Sequence, residues 1–163
     1  MDRSREGSGT FKKQLASFRF VLDAMGAAPR FLTLHSREAE PEVLELLAEY
    51  GVSRAVFHWY SGPLALVDEI VSAGHYLSVN PAMARSTIFR PFFERTPRDR
   101  VLTETDGPHL LVGRRPAEPT DVAQVVRYLA EVWNSPRRET ERRVSSNLDA
   151  VLDPVRQWQG KSH

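Results

Sequence analysis

Apolar residues along this chain fall alternately at helical spacing and in short strand-length runs. Phe11, Leu15, Phe18, Leu22 and Met25 lie three or four positions apart and precede Gly26, which predicts an amphipathic helix over 11–25 with a glycine stop. A strand-length run from Arg30 to His35 follows, with Phe31, Leu32, Thr33 and Leu34 at its centre. Pro41 then opens a helix carrying Val43, Leu44, Leu46, Leu47 and Tyr50, and Gly51 closes it. The unit returns as a strand over 54–58, a helix from Pro63 with Leu64, Leu66, Val67, Ile70 and Val71, and Gly74 as terminator. Proline suits a first helical turn, which needs no N–H, and glycine accepts the left-handed conformation just past the last turn. A third strand over 76–79 leads into Asn80-Pro81 and a less regular segment containing Ile88, Phe92 and Phe93. The fourth strand, over 101–105, ends at Asp106, and 107–118 reads as a loop rich in Gly, Pro and Arg. From Pro119, the residues Val122, Val125, Val126, Leu129, Val132 and Trp133 form a helical stripe. A last helix is expected from Pro136 to about Leu152, with fraying after Asp153.

Strand ends thus fall near His35, His58, Asn80 and Asp106, separated by 23, 22 and 26 residues. That spacing is a repeated βα unit, and right-handed crossovers make the sheet parallel. The expected fold is α/β: a partial (β/α) TIM-type barrel of about four parallel strands with flanking helices. Half a barrel leaves unpaired strand edges near Thr33 and Thr103, open to a partner or to self-association. It also predicts lost apolar cover on the strand face, on the order of several hundred Å².

The 163 residues, 41% of them hydrophobic, suffice for one domain with a real core. Within it, 1–10 is expected to be disordered or a remnant loop, 11–153 to form the barrel part, and 154–163 to be a flexible tail. With 22 basic against 21 acidic residues the net charge is +1, so nothing electrostatic in the chain as a whole favours nucleic acid, and any phosphate attraction must be local. The absence of cysteine removes disulfides, thiolate metal sites and thiol nucleophiles. No apolar stretch reaches the roughly 20 residues of a membrane span, and the N-terminus has no hydrophobic signal core. A soluble cytoplasmic protein without a membrane partner is the expectation.

The candidate chemistry sits at the strand ends. His35 and His58 are imidazole donors and Asp106 a hard oxygen donor, a set that suits a divalent ion such as Zn, Mn or Mg. Each also has a plain structural reading: a hydrogen-bonded rim histidine, or an aspartate capping the turn before Gly107-Pro108. Glu104 lies two residues before Asp106 and points to the same strand face, where it either supports a ligand or forms an ion pair. Arg37 and Arg114-Arg115 are candidates for phosphate contact, whereas Arg137, Arg138, Arg142 and Arg143 alternate with glutamates as a solvated helix face does. Trp59 and Tyr60 can stack a base or pack in the core. His109 reads as a surface residue, and His75, after Gly74, as exposed or held by a helix dipole. No Gly-rich phosphate loop or Ser-His-Asp order is present.

Three stretches together resemble the TatD family of metal-dependent deoxyribonucleases: His35-Ser36-Arg37, Phe57-His58-Trp59-Tyr60-Ser61-Gly62 and Glu104-Thr105-Asp106-Gly107-Pro108, with Asn147 before Leu148 downstream. The segment from Tyr76 to Met83 further resembles the TatD-like component of the bacterial Qat anti-phage system. The resemblance implies the later half of an amidohydrolase-like barrel, hydrolysis of phosphodiester bonds in DNA, and a divalent metal held in part by His35, His58 and Asp106. In that scheme Asp106 also helps activate water, and Glu104, Arg37 and Trp59 support the site or touch substrate. The family's first-strand His-x-His pair and its middle-strand glutamate have no counterpart here, although Met1-Asp2-Arg3 resembles the tail of the glutamate segment. A misplaced start codon, a truncated gene and a genuine half-barrel subunit all produce this pattern. A catalytically inactive binding or assembly subunit of a defence complex is therefore the competing expectation.

Overall fold

Short β-branched and aromatic runs pair in chain order into one parallel sheet: β1 (Thr33–Leu34), β2 (Val56–Phe57), β3 (Tyr76–Val79) and β4 (Val101–Thr103). The computed structural model describes residues 1–26 and 28–159. Thr33 sits opposite Val56, Val56 opposite Tyr76, and Leu77 opposite Val101, so the strand ends lie nearly level. Helices α1 (Phe11–Met25), α2 (Glu40–Glu49), α3 (Val67–Ser72), α4 (Pro81–Ala84), α5 (Arg90–Arg95), α6 (Val122–Val132) and α7 (Arg137–Gln159) connect and flank the strands. The chain has the four-stranded parallel α/β architecture expected of half a barrel. The stretch over 107–118 is not plain loop; it contains a small antiparallel hairpin, β5 (Leu111–Val112) with β6 (Arg115–Pro116).

The two faces of the sheet are covered differently. Phe57, Leu77, Val79 and Val101 join the main core with Val43, Leu47, Ile70 and Leu129 of the flanking helices. The alternate residues Val56, Tyr76 and Leu102 point the other way, as the pleat requires, and form a second cluster with Val151 of α7. They are only 2–5% exposed, so the predicted loss of apolar cover is corrected. Val151 of α7 supplies the apolar cover of this cluster.

The open edges are also partly satisfied. Asn147, itself buried, donates its amide to the carbonyls of Arg98 and Val101, both at 2.7 Å, at the start of β4. On the β1 side Asp2 makes a parallel bridge with Arg37, the Met1 ammonium donates to the His35 carbonyl at 2.6 Å and the Arg3 N–H to the Arg37 carbonyl at 2.9 Å. Residues 1–3, within the stretch expected to be disordered or a remnant loop, thus lie along the extended backbone after β1, which offers carbonyls to them. Gln14 of α1 secures them further by accepting from the Asp2 N–H and donating to the Asp2 and Gly7 carbonyls.

Two other expectations change. His75 is 2% exposed rather than a surface residue. Its Nδ1 accepts the Ala55 N–H at 3.2 Å, and burial pulls the imidazole down to about 4. The last helix does not stop near Leu152; α7 runs through Pro154 to Gln159, while 160–163 lie outside the described residues. Proline at 154 removes the N–H that Ala150 would accept from. Arg54 supplies the substitute, its guanidinium donating to the Ala150 carbonyl at 2.8 Å from a backbone at φ +80°.

Arg54→Ala is expected to cost about 1 kcal/mol of stability and to open the 154–159 turn to hydrogen exchange. In a Pro154→Ala background, where Ala150 regains its helical partner, the same substitution should cost distinctly less, and equal costs in a double-mutant cycle would refute the substitution of one bond for the other. For His75 the folded ring titrates near 4 and the unfolded one near 6.5, so between them the unfolded chain binds the extra proton. Stability is then complete above pH 6.5 and falls as pH drops toward 4, levelling off after a loss of about 3 kcal/mol. Urea unfolding across this range with an NMR titration of His75 checks it.

Candidate active site at the carboxyl ends of the strands

Each strand hands the chain to a rim residue, which is where α/β barrels gather functional side chains. His35 follows β1, His58 follows β2, Asn80 follows β3, and Glu104 and Asp106 follow β4. The Trp59 and Asp106 backbones sit at φ +46° and +54°, a left-handed region that costs a non-glycine residue about 1–3 kcal/mol and concentrates at functional sites. Asp106 tolerates it better than most residues, and Gly107 must follow because the Ala117 carbonyl stands 2.0 Å from where a Cβ would be. The turn is closed by the Leu110 N–H on the Asp106 carbonyl at 2.9 Å and the Ala117 N–H on the Leu110 carbonyl at 2.8 Å.

The structure brings the three candidate donors into one cluster. The His35 and His58 rings stand edge to face with centroids 4.6 Å apart, and His58 Nε2 lies 3.0 Å from Asp106 Oδ1. His58 Nδ1 contacts Glu104 Oε2, which also accepts the Ser78 hydroxyl. Asn80 Nδ2 donates to Glu104 Oε1 at 3.2 Å, while Asn80 Oδ1 accepts the Ala82 and Met83 N–H groups, both at 3.0 Å, at the start of α4. Glu104 is therefore anchored from β3 and fixes the ring of His58. The Asn80 and Ser78 contacts were not apparent as parts of the site in the sequence, although Asn80-Pro81 carries a helix-start signal that marks the position.

The two rings are pushed in opposite directions. Burial, and then the neighbouring His58 charge, lowers the His35 pKa below the usual imidazole range. The hydrogen bond to Glu104 outweighs burial at His58 and raises it, with Asp106 adding to the effect. One positive charge between two carboxylates is favourable, and a second 4.6 Å away is not.

Other predicted residues divide. Trp59 is half-buried against the core and also lines a recess of about 380 Å³ beside His35 and His58. Tyr60 belongs to the core, with its hydroxyl donating to the Pro63 carbonyl at 2.8 Å. Arg37 is exposed at the mouth of the recess and pairs with Glu6 at 3.0 Å and Asp2 at 3.9 Å. Arg115 is committed to Asp121 through two bonds of 2.8 Å, so it is not a free phosphate contact.

A family model described as "TatD related DNase" matches residues 1–153. The chain belongs to the TatD-related DNase family. Among TatD relatives it is 30% identical over 132 residues to the "3'-5' ssDNA/RNA exonuclease TatD" of Pectobacterium atrosepticum, covering 74% of this chain and 50% of that protein. It is 26% identical to the human "Deoxyribonuclease TATDN3", with coverage of 81% and 50%. The chain thus spans about half the length of the curated relatives it matches. The crystal structure of YjjV, a TatD homologue from Escherichia coli, superposes with a TM-score of 0.78 at 24% identity, covering 87% of this chain and 57% of that one. An amidohydrolase from Saccharomyces cerevisiae does so with a TM-score of 0.79 at 14% identity, covering 93% and 62%. Both agree with the half-barrel architecture.

The TatD family is one of metal-dependent hydrolases, and the donors present fit a divalent ion in kind: an imidazole held neutral, a second imidazole oriented by a carboxylate, and Asp106 beside it. They do not enclose one by themselves. Among the described residues no group of three His, Asp or Glu side chains is arranged to hold a metal, and both nitrogens of His58 face carboxylates.

Proposed function

We propose that this chain acts as a TatD-like hydrolase of phosphodiester bonds in DNA, with His35, His58 and Asp106 contributing to a divalent-metal site. The observation that carries this reading is the convergence of those three side chains from three parallel strand ends, His58 3.0 Å from Asp106 and His35 edge-on to His58. A bound ion supplies Lewis acidity and a water of lowered pKa. The chain's own residues do the rest: His35 offers a neutral nitrogen, Glu104 holds the His58 ring in one orientation, and Asp106 offers a carboxylate beside it. Arg37 can exchange its exposed carboxylate partners for a phosphate at little cost, because exposed ion pairs are weak.

A second reading is favoured by the absence, among the described residues, of three donors arranged around one point. In it the chain is a binding or assembly subunit without activity of its own, and the resemblance of Tyr76–Met83 to the Qat component supports a place in anti-phage defence. No helix among the described residues is long and apolar enough to cross a membrane, which leaves the proposed cytoplasmic setting open to either reading.

The test is cleavage of end-labelled single-stranded DNA with Mn, Mg or Zn, before and after chelation. His58→Ala and Asp106→Asn are each expected to lower the rate at least about 100-fold, with chelator abolishing it. Equal activity in wild type and both variants would remove the site from the mechanism. Metal-independent inactivity, together with co-sedimentation with a second copy or a defence partner, would establish the subunit reading.

A further inference from the structure

Beside the histidine pair the structure contains a buried carboxylate that the proposed chemistry does not use. Glu40, the first residue of α2, is 3% exposed. No Lys or Arg pairs with it among the described residues; the adjacent Arg37 is turned to Asp2 and Glu6. Backbone N–H groups at Glu40 and Glu38 hold it, and burial outweighs them, raising its pKa above the usual carboxylate range. A carboxylate withdrawn from water without a cation is costly unless donors reach it.

Its position is enforced by the motif that follows β2. A Cβ on Gly62 would lie 2.6 Å from Glu40 Oε1 and 2.8 Å from the Tyr60 hydroxyl, so any other residue there would make the Glu40 carboxylate or the Tyr60 ring shift. Glu40 lines the 380 Å³ recess with His35, His58 and Trp59, and also a second recess of about 510 Å³ that continues past Ser61 to Gly62 and Pro63. Arg37 borders both. The two recesses share Arg37, Glu40 and Ser61 in their linings and so adjoin as one groove beside His35, His58 and Trp59.

We propose that this groove holds the nucleotide next to the scissile phosphate and that Glu40 reads its base, selecting guanine. The proposal rests on the phosphodiesterase reading of the neighbouring site. Guanine is the base that presents two adjacent donors, N1–H and the N2 amine, to which a carboxylate bonds in the paired geometry it uses with arginine. Thymine turns two carbonyl oxygens toward such a group, and adenine and cytosine each set one amine beside an acceptor. Trp59 supplies a stacking face that any base can use, and Arg37 the phosphate contact, so Glu40 is the element that discriminates.

Binding is measured with the whole chain by NMR titration of dGMP, dIMP, which lacks only the N2 amine, and dTMP. In wild type dGMP is expected to bind at least about fivefold tighter than dIMP or dTMP, with shifts centred on the amides of 59–62. Glu40→Gln should level the three affinities, and so should Gly62→Ala, which keeps the carboxylate but displaces it; thermal melts of both variants confirm folding. Equal affinities in wild type, no dGMP binding at millimolar concentration, or a guanine preference that survives both substitutions would overturn the proposal. Cleavage of guanine-bearing and inosine-bearing strands separates the two readings. A chain that prefers dGMP but cleaves nothing retains base recognition and loses the nuclease assignment, while one that cleaves both strands alike does the reverse.

Discussion

The organisation of the rim depends on one imidazole held between two carboxylates. His58 comes from β2 and its partners Glu104 and Asp106 from the end of β4, so the pair of contacts reaches across β3. Ser78 and Asn80, on and just after β3, fill that gap by bonding to Glu104. A polar network of this kind is stable in a low-dielectric setting only when its members are satisfied. Here it also ties α4 to the sheet, because the Asn80 oxygen caps that helix while its amide secures Glu104. Losing the register of β2, β3 or β4 would leave a carboxylate or amide of the network without its partner.

Parts of the four-stranded sheet are covered from within the chain. The face that a complete barrel would bury is packed under Val151 of α7, and α7 is held there by polar bonds at two points, Asn147 on the start of β4 and Arg54 on the Ala150 carbonyl. The first residues lie along the extended segment after β1 and take up two of its carbonyls. Sequence periodicity identifies a half barrel but not its lid, because α7 is an ordinary helix in pattern and only its docking gives it that task.

The rim joins two kinds of group with opposite demands. Near His58 the protein places more acceptors than donors, an arrangement suited to a cation; at Glu40 it buries an acceptor beside an aromatic wall, an arrangement suited to a donor-bearing ligand. Positive φ at Trp59 and Asp106 is the local cost of aiming these residues into the same space. The small separation of His35 and His58 adds a constraint, since the neighbouring charge joins burial, the larger cause, in lowering the His35 pKa.

Much of the fold was legible in the residues themselves. The helix over 11–25 and the strand over 76–79 agree with the periodicity to the residue, since local apolar spacing and glycine stops act over a few positions. The rim histidines and Asp106 were visible for the same reason, each ending a strand-like run. What the sequence could not show were contacts between distant positions. His75 read as exposed or dipole-held until Ala55 and the core closed over it, and the last helix read as ending near Leu152 until Arg54 supplied the donor that Pro154 lacks; the burial of Glu40 beneath Gly62 had no signal in the local pattern at all. Local pattern determined which elements form and in what order, because it depends on neighbours in the chain. Tertiary structure alone decided which polar groups are buried and who satisfies them, because the partner of a buried donor or acceptor is chosen by packing.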